Sequence, residues 1–439
     1  MGLSLQKNKT PLNTAQWLVL STLFILCYWP TYFILSIDAA VMQKSHFIVM
    51  IGYLLVIIFA TRVTINVPSI AYIYLLPLVA MLTSFLFNIS LFSAFHLSVL
   101  TKPLLLFLYV VFFFSLLVKC FNEKDNYKIK NTLNLIFIIQ LVIILLQIIF
   151  GDVAALKVLS FKEVYTGFGF RAPGTFDWVY VTCYFLSFFL GLHIIDFYLG
   201  KKKKLAGLYI LLSLIAIFLS QSKTGYLATV IIALYFVFLS LILRLNIAKK
   251  IIRIMLIISI LLTLCIIYFG LNLDYITTFI DLIQQGKLDG STSTRKNQTI
   301  LALSEGFTYW YSGSPLALKG VIIENSYFDY LFRYGLSGLI AFLLIIITFY
   351  FYSLKICINT KALFERGYVS FETFQLSIAC HVSMFAASIY SFSGTPLDGY
   401  RSAIWSCFVV ALIAYINYKG KNLLALAAKN PVNAEDIIR

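Results

Sequence analysis

Apolar runs of about 20 residues, the length of a helix that crosses a bilayer, recur along this chain from residue 15 to residue 418. Backbone in lipid must satisfy its own hydrogen bonds, which leaves only helices and closed barrels. Barrel strands are shorter and alternate polar with apolar residues, and these runs are too long and too uniformly apolar for that. The chain is 61% hydrophobic and 12% charged, with mean hydropathy +0.92, unlike a soluble domain. The expected class is an all-α polytopic membrane protein.

The runs predict about 12 transmembrane helices, at residues 15–37, 46–61, 69–87, 94–118, 131–150, 176–199, 205–221, 225–243, 251–271, 334–354, 373–392 and 401–418. The span 94–118 holds Lys102-Pro103 and is predicted to kink or break there, since proline removes a helix hydrogen bond. Lysine and arginine set the orientation. With the N-terminus inside, the inner segments carry most of the basic residues, Lys201 to Lys204 among them, and the outer segments carry most of the acids. The formal net charge of +16 is then a topology signal and not a sign of nucleic-acid binding; the lysine run suits an anionic inner leaflet. Both termini are expected in the cytoplasm. Met1 to Pro11 is polar and basic, and no cleavage site follows the first apolar run.

The predicted organisation is spans 1–9 over residues 1–271, with a short outer loop at 151–175; a large outer loop at 272–333; spans 10–12 over 334–418; and a tail at 419–439. The large loop reads as short helices at Tyr275–Gln285 and Thr294–Gly306, then an irregular stretch from Tyr309 to Gly320. The second helix has the pattern of one lying on a membrane or lidding a cavity. Loops this long in a compact protein are usually functional. No internal repeat and no pair of interrupted spans marks a transporter.

There is no Walker loop, no G-x-G-x-x-G, no H-E-x-x-H and no D-x-D, so neither a cofactor nor a metal site is expected. Cys27, Cys120, Cys183, Cys265, Cys357, Cys380 and Cys407 are scattered without a C-x-x-C and read as small buried residues. His46, His96, His193 and His381 read as interior or interfacial. What remains is polar residues gathered on the outer face: Arg171 with Asp177 and Trp178; Lys223 among Ser220, Ser222 and Thr224; Arg295; Glu324-Asn325-Ser326-Tyr327 with Asp329 and Arg333; and Gly394 to Arg401. Basic groups grip phosphate through charge-assisted hydrogen bonds, and a carboxylate beside them can act as general base. Each has a plainer reading. Arg333 is placed to pair with Asp329, one turn earlier. Arg401 is placed to pair with Asp398 or to anchor its span at the interface, and Arg171 and Lys223 can be snorkelling anchors.

Four pieces resemble, in order, the O-antigen polymerase and ligase superfamily of bacterial envelope enzymes. Arg171-Ala172-Pro173-Gly174-Thr175-Phe176 resembles its R-x-x-G-T-F element. Ser220-Gln221-Ser222-Lys223-Thr224-Gly225 resembles S-x-S-R-T-G, with lysine for arginine. Arg295 through Pro315-Leu316-Ala317-Leu318-Lys319-Gly320 resembles R…P-L-x-G. Glu324-Asn325-Ser326-Tyr327 leading to Gly335-Leu336-Ser337-Gly338-Leu339 resembles H-N-x-Y/F-L…G-L-x-G-L, with glutamate for the ligases' histidine. That glutamate favours polymerase over ligase.

The resemblance implies a GT-C-like helical glycosyltransferase in the bacterial inner membrane, its active site facing the periplasm. It would use undecaprenyl-diphosphate-linked glycan without metal and invert the anomeric centre. Glu324 would be the base. Arg171 and Lys223 would meet the leaving diphosphate, and Arg295, Asn325, Tyr327, Arg333, Asp177 and Arg401 would contact substrate. A separate chain-length-regulating co-polymerase is the protein partner such systems imply. The alternatives are a ligase of the same superfamily and a flippase for the same lipid-linked sugars.

Overall fold

The computed structural model describes residues 11–30, 39–88, 94–151, 165–166, 169–176, 178–245, 281, 284–285, 287–288 and 290–429. It is helical throughout apart from a minimal hairpin in which β1 (Tyr165–Thr166) pairs antiparallel with β2 (Gly169–Phe170). The helices are α1 (Thr14–Tyr28), α2 (Ala39–Thr61), α3 (Leu76–Phe87), α4 (Ala94–Cys120), α5 (Asn126–Phe150), α6 (Val179–Leu199), α7 (Lys203–Leu219), α8 (Lys223–Ile242), α9 (Gly290–Thr308), α10 (Ser326–Glu365), α11 (Phe371–Tyr390) and α12 (Tyr400–Lys429). A 3₁₀ turn, Ser69–Leu75, leads into α3. Among the described residues seven helices are long and apolar enough to cross a membrane, with two shorter apolar ones at Thr14–Tyr28 and Ser45–Thr61. This is a helical membrane protein. The span expected at 251–271 lies outside the described residues.

Local sequence accounts for the helix starts. At α1 Asn13 and Gln16 form a reciprocal cap, the Gln16 amide donating to Asn13 Oδ1 at 2.8 Å, which satisfies donors that a helix start otherwise leaves open. Ser222, Asn325 and Ser370 cap α8, α10 and α11 one way, each side chain accepting from a backbone N–H of the first turn.

The core is built on α6, α11 and α12. The most apolar windows of α6 and α12 are each 83% buried. Helices α6 and α11 pack directly at Gly191, where an added Cβ would lie 3.1 Å from the Ala379 Cα; small residues let helices in a membrane approach closely. Trp405 of α12 is fully buried, its ring 4.7 Å from Phe185 and 5.3 Å from Phe188. Outward, Phe59, Val79, Leu86, Leu227, Leu234, Leu241 and Phe351 are exposed, as lipid-facing residues should be. The interior reading of His381 fits: its ring nitrogens meet the Tyr235 hydroxyl at 2.6 Å and Ser353 Oγ at 2.7 Å.

One expectation is corrected. Helix α4 stays helical through Pro103. The interruption lies instead in α10, where Gly335 has φ +68° and ψ −160°, a conformation open essentially to glycine alone. The freed backbone groups are taken by the segment before it: Leu336 N donates to Trp310 O and Ser314 N to Phe332 O, each at 2.7 Å. The loop helix expected over Thr294–Gly306 is present as α9. It packs on the first part of α10 through a small apolar cluster of Ala302, Ile323 and Phe332.

Candidate functional site

The segment Arg171–Phe176 enters the bundle ahead of α6 and is held from behind. Gly174 has φ +61°, and a Cβ there would sit 1.9 Å from Gln140 Nε2, so both conformation and space demand glycine. Gln147 of α5 brackets it, accepting from Gly174 N and donating to Gly174 O, both at 2.8 Å. Thr175 Oγ1 donates to Gln140 Oε1 at 2.9 Å. Phe176 is fully buried, 4.8 Å from Phe185. Arg401, fully buried, donates to the carbonyls of Cys27, at 3.0 Å, Trp29 and Thr175. The expectations that Arg401 pairs with Asp398 or anchors an interface are corrected: its guanidinium ties the end of α1 to the Arg171 segment. Spacing along the chain suggested Asp398 as its partner; the partners are main-chain groups more than 220 positions away.

This clamp sets Arg171 against the turn between α7 and α8. Ala172 N and Arg171 Nη2 both reach that turn at 3.5 Å, to Leu219 O and Gln221 O. Within the turn Ser220 Oγ meets Cys183 Sγ at 3.1 Å, and Ser222 Oγ caps α8 by accepting from Gly225 N at 3.1 Å. Gly225 packs on α6; a Cβ there would be 2.7 Å from Cys183 Sγ. Lys223 is the first residue of α8, two residues after the Gln221 whose carbonyl Arg171 reaches.

The third element is Glu324–Tyr327. Glu324 Oε2 accepts from Arg295 Nε of α9 at 2.9 Å, each side chain about a third exposed. Its own N–H donates to Gln298 Oε1 at 3.2 Å, one turn along the same helix. Asn325 Oδ1 caps α10, and the Tyr327 hydroxyl donates to Ser388 O at 2.9 Å while its ring lies 4.7 Å from Phe392. Asn325 Oδ1 and the Tyr327 hydroxyl, on residues expected to contact substrate, thus help hold the Glu324 segment.

The turn Ser391–Gly394 after α11 joins the elements. Ser326 N donates to Ser391 O at 2.9 Å and its hydroxyl to Gly394 O. Thr224, beside Lys223, meets Ser393 Oγ. One bundle end therefore gathers Arg171, Lys223, Glu324 and Arg295. Sequence reasoning missed Ser393; its only signal was a run of small polar residues after an apolar span.

Arg333 pairs with Asp329 at 2.6 Å, the plainer of its two readings. Asp398 pairs with Lys102 at 3.5 Å. Lys102 and Asp398 help line, with Tyr330 and Tyr74, a cavity of about 20 Å³, room for one water and no sugar. Lys102 was another miss; its charge inside an apolar run was the available signal. Asp177 lies outside the described residues. Among those described, no three His, Cys, Asp or Glu side chains gather as metal ligands.

A comparison with models of known protein families gives no match, and neither does a comparison with curated proteins.

Proposed function

We propose that this chain is a glycosyltransferase that polymerises repeat units carried on undecaprenyl diphosphate, in O-antigen or a capsular polysaccharide. The observation that supports it most is the meeting, at one bundle end, of two cation-bearing turns with a carboxylate held by an arginine. Phosphate needs fixed positive charge; the acceptor hydroxyl needs a base. In this reading the fold is GT-C-like with about 12 spans, and the site faces the periplasm of a bacterial inner membrane.

The acceptor hydroxyl of one lipid-linked repeat unit attacks the anomeric carbon of the growing glycan on another. Its proton passes to Glu324 as the new C–O bond forms. The bond from the anomeric carbon to the diphosphate breaks, and its electron pair leaves on the diphosphate oxygen. Arg171 and Lys223 take up that charge. Arg295, bound to Oε2 of Glu324, orients the carboxylate so that Oε1 meets the hydroxyl. A single displacement inverts the anomeric centre.

The test is purified protein in lipid with a synthetic undecaprenyl-diphosphate repeat unit, without metal or nucleotide, the products resolved on a gel. A ladder that disappears in Glu324→Ala supports the reading. Transfer of glycan only to a different acceptor would make the protein a ligase. Movement of the lipid across vesicles with no ladder would make it a flippase.

A further inference from the structure

Gln221 adjoins both cations of the candidate site, its carbonyl meeting Arg171 and Lys223 following two residues on; it is 1% exposed, yet neither Oε1 nor Nε2 has a hydrogen-bond partner. Its main chain is engaged, N–H to Phe218 O at 3.1 Å and carbonyl to Arg171 Nη2. The backbone is left-handed, φ +47°, a conformation that asparagine and glycine adopt more readily than glutamine. A buried amide with no partner is costly, and a left-handed non-glycine residue adds strain. Methionine or leucine would relieve the first cost, and glycine or asparagine the second. Glutamine relieves neither. Buried polar groups left open at a strained turn mark a place that a ligand completes.

The chemistry of an amide says what completes it. Oε1 accepts up to two hydrogen bonds and Nε2 donates two. A bare phosphate, all acceptor, satisfies only the donors. A sugar 1-diphosphate satisfies both, its phosphoryl oxygen accepting from Nε2 and a neighbouring ring hydroxyl donating to Oε1. We propose that Gln221 is a specificity-determining residue that contacts both the phosphoryl group and the adjacent sugar hydroxyl, so that the site holds the glycosylated lipid diphosphate more tightly than the bare one. This rests on the functional reading above. It gives the site a way to release its product: once the sugar is transferred, Oε1 loses its partner.

Two probes separate these ideas: farnesyl diphosphate, and the same diphosphate carrying one hexose. Their affinities are measured on the full chain in nanodiscs by intrinsic fluorescence, with the unliganded Tm beside them. Wild type is expected to prefer the hexose-bearing probe by roughly tenfold, the worth of a buried hydrogen bond. Gln221→Met keeps length and removes the amide; the preference should shrink to about twofold or less, with unliganded Tm unchanged or higher. Gln221→Glu keeps the shape, adds like charge and should weaken both probes. Equal wild-type affinity for the two probes would overturn the inference and leave the lipid-diphosphate reading standing. So would a preference that survives in Gln221→Met, or a steep fall in its unliganded Tm, which would show the amide to be structural. Wild type that binds neither probe would remove both.

Discussion

Where α5 begins, polar side chains find each other; where α8 begins, they are held from behind. At the first end Lys128 donates to Gln16 Oε1 at 2.9 Å and Pro11 O at 3.2 Å and pairs with Asp125 at 2.9 Å. Asn126 donates to Thr373 Oγ1 at 2.6 Å and accepts from the Tyr415 hydroxyl at 3.0 Å. Lys130 joins Asp196 at 2.9 Å and Gln375 at 2.8 Å. These bonds run from helix to helix and fix how α1, α5, α6, α11 and α12 stack. At the second end the bracing groups are Arg401, Gln147, Gln140 and the helix caps; apart from Gln140, which meets the Thr175 hydroxyl, they bind main chain. That difference separates a staple from a site: at the first end buried polar side chains satisfy one another across helices and specify packing, while at the second the bracing falls largely on the main chain of the segments that carry Arg171 and Glu324.

Substitutions at the two ends should therefore fail differently. Glu324→Gln should lower chain extension by about 10²–10⁴-fold, the range for losing a general base, while the thermal midpoint stays near wild type; a large drop in the midpoint instead would make Glu324 a staple after all. Arg401→Leu removes a buried charge from three backbone carbonyls, each costing about 1–3 kcal/mol when left unpaired. It should reduce the yield of folded protein, with Arg401→Lys recovering part, as read by the monodisperse fraction on size exclusion. Lys128→Met should cost about 1–3 kcal/mol, seen as a lower unfolding midpoint, with the activity per folded molecule preserved; selective loss of activity would erase the contrast between the ends. Arg295→Gln should shift stability by less than about 1 kcal/mol, as for other exposed ion pairs, and should lower the extension rate far more than the midpoint.

Much of this was legible in the chain before folding. Uniform apolar runs announce helices in lipid. Gly174 and Ser222 lie in short motifs whose demands are local: a left-handed turn and a helix cap. Arg333 finds Asp329 because one helical turn is a local distance. The misses share another cause. Arg401 reaches back to Cys27, Lys102 reaches forward to Asp398, and Thr224 meets Ser393; no periodicity encodes such contacts. Pro103 looked like the breaker because proline lacks a donor. The break fell at Gly335 because another part of the chain supplies replacement partners there. Gln221 was visible only as the variable position of a motif, since an unsatisfied amide has meaning only once its surroundings exist.

The break at Gly335 has one more consequence. Residues Trp310 and Ser314 grip both sides of it through main-chain atoms, which every amino acid but proline can supply. The exposed side chains there, Trp310 and Tyr311, can vary without loosening the grip, whereas buried Ser314 is also tied through its hydroxyl to Glu305. Further exceptions are Gly313 and Gly335, where a Cβ would stand 2.1 Å from Arg333 O and 2.3 Å from Trp310 O. A loop moored in this way can retune what its outer surface meets while the hinge between loop and span keeps its shape.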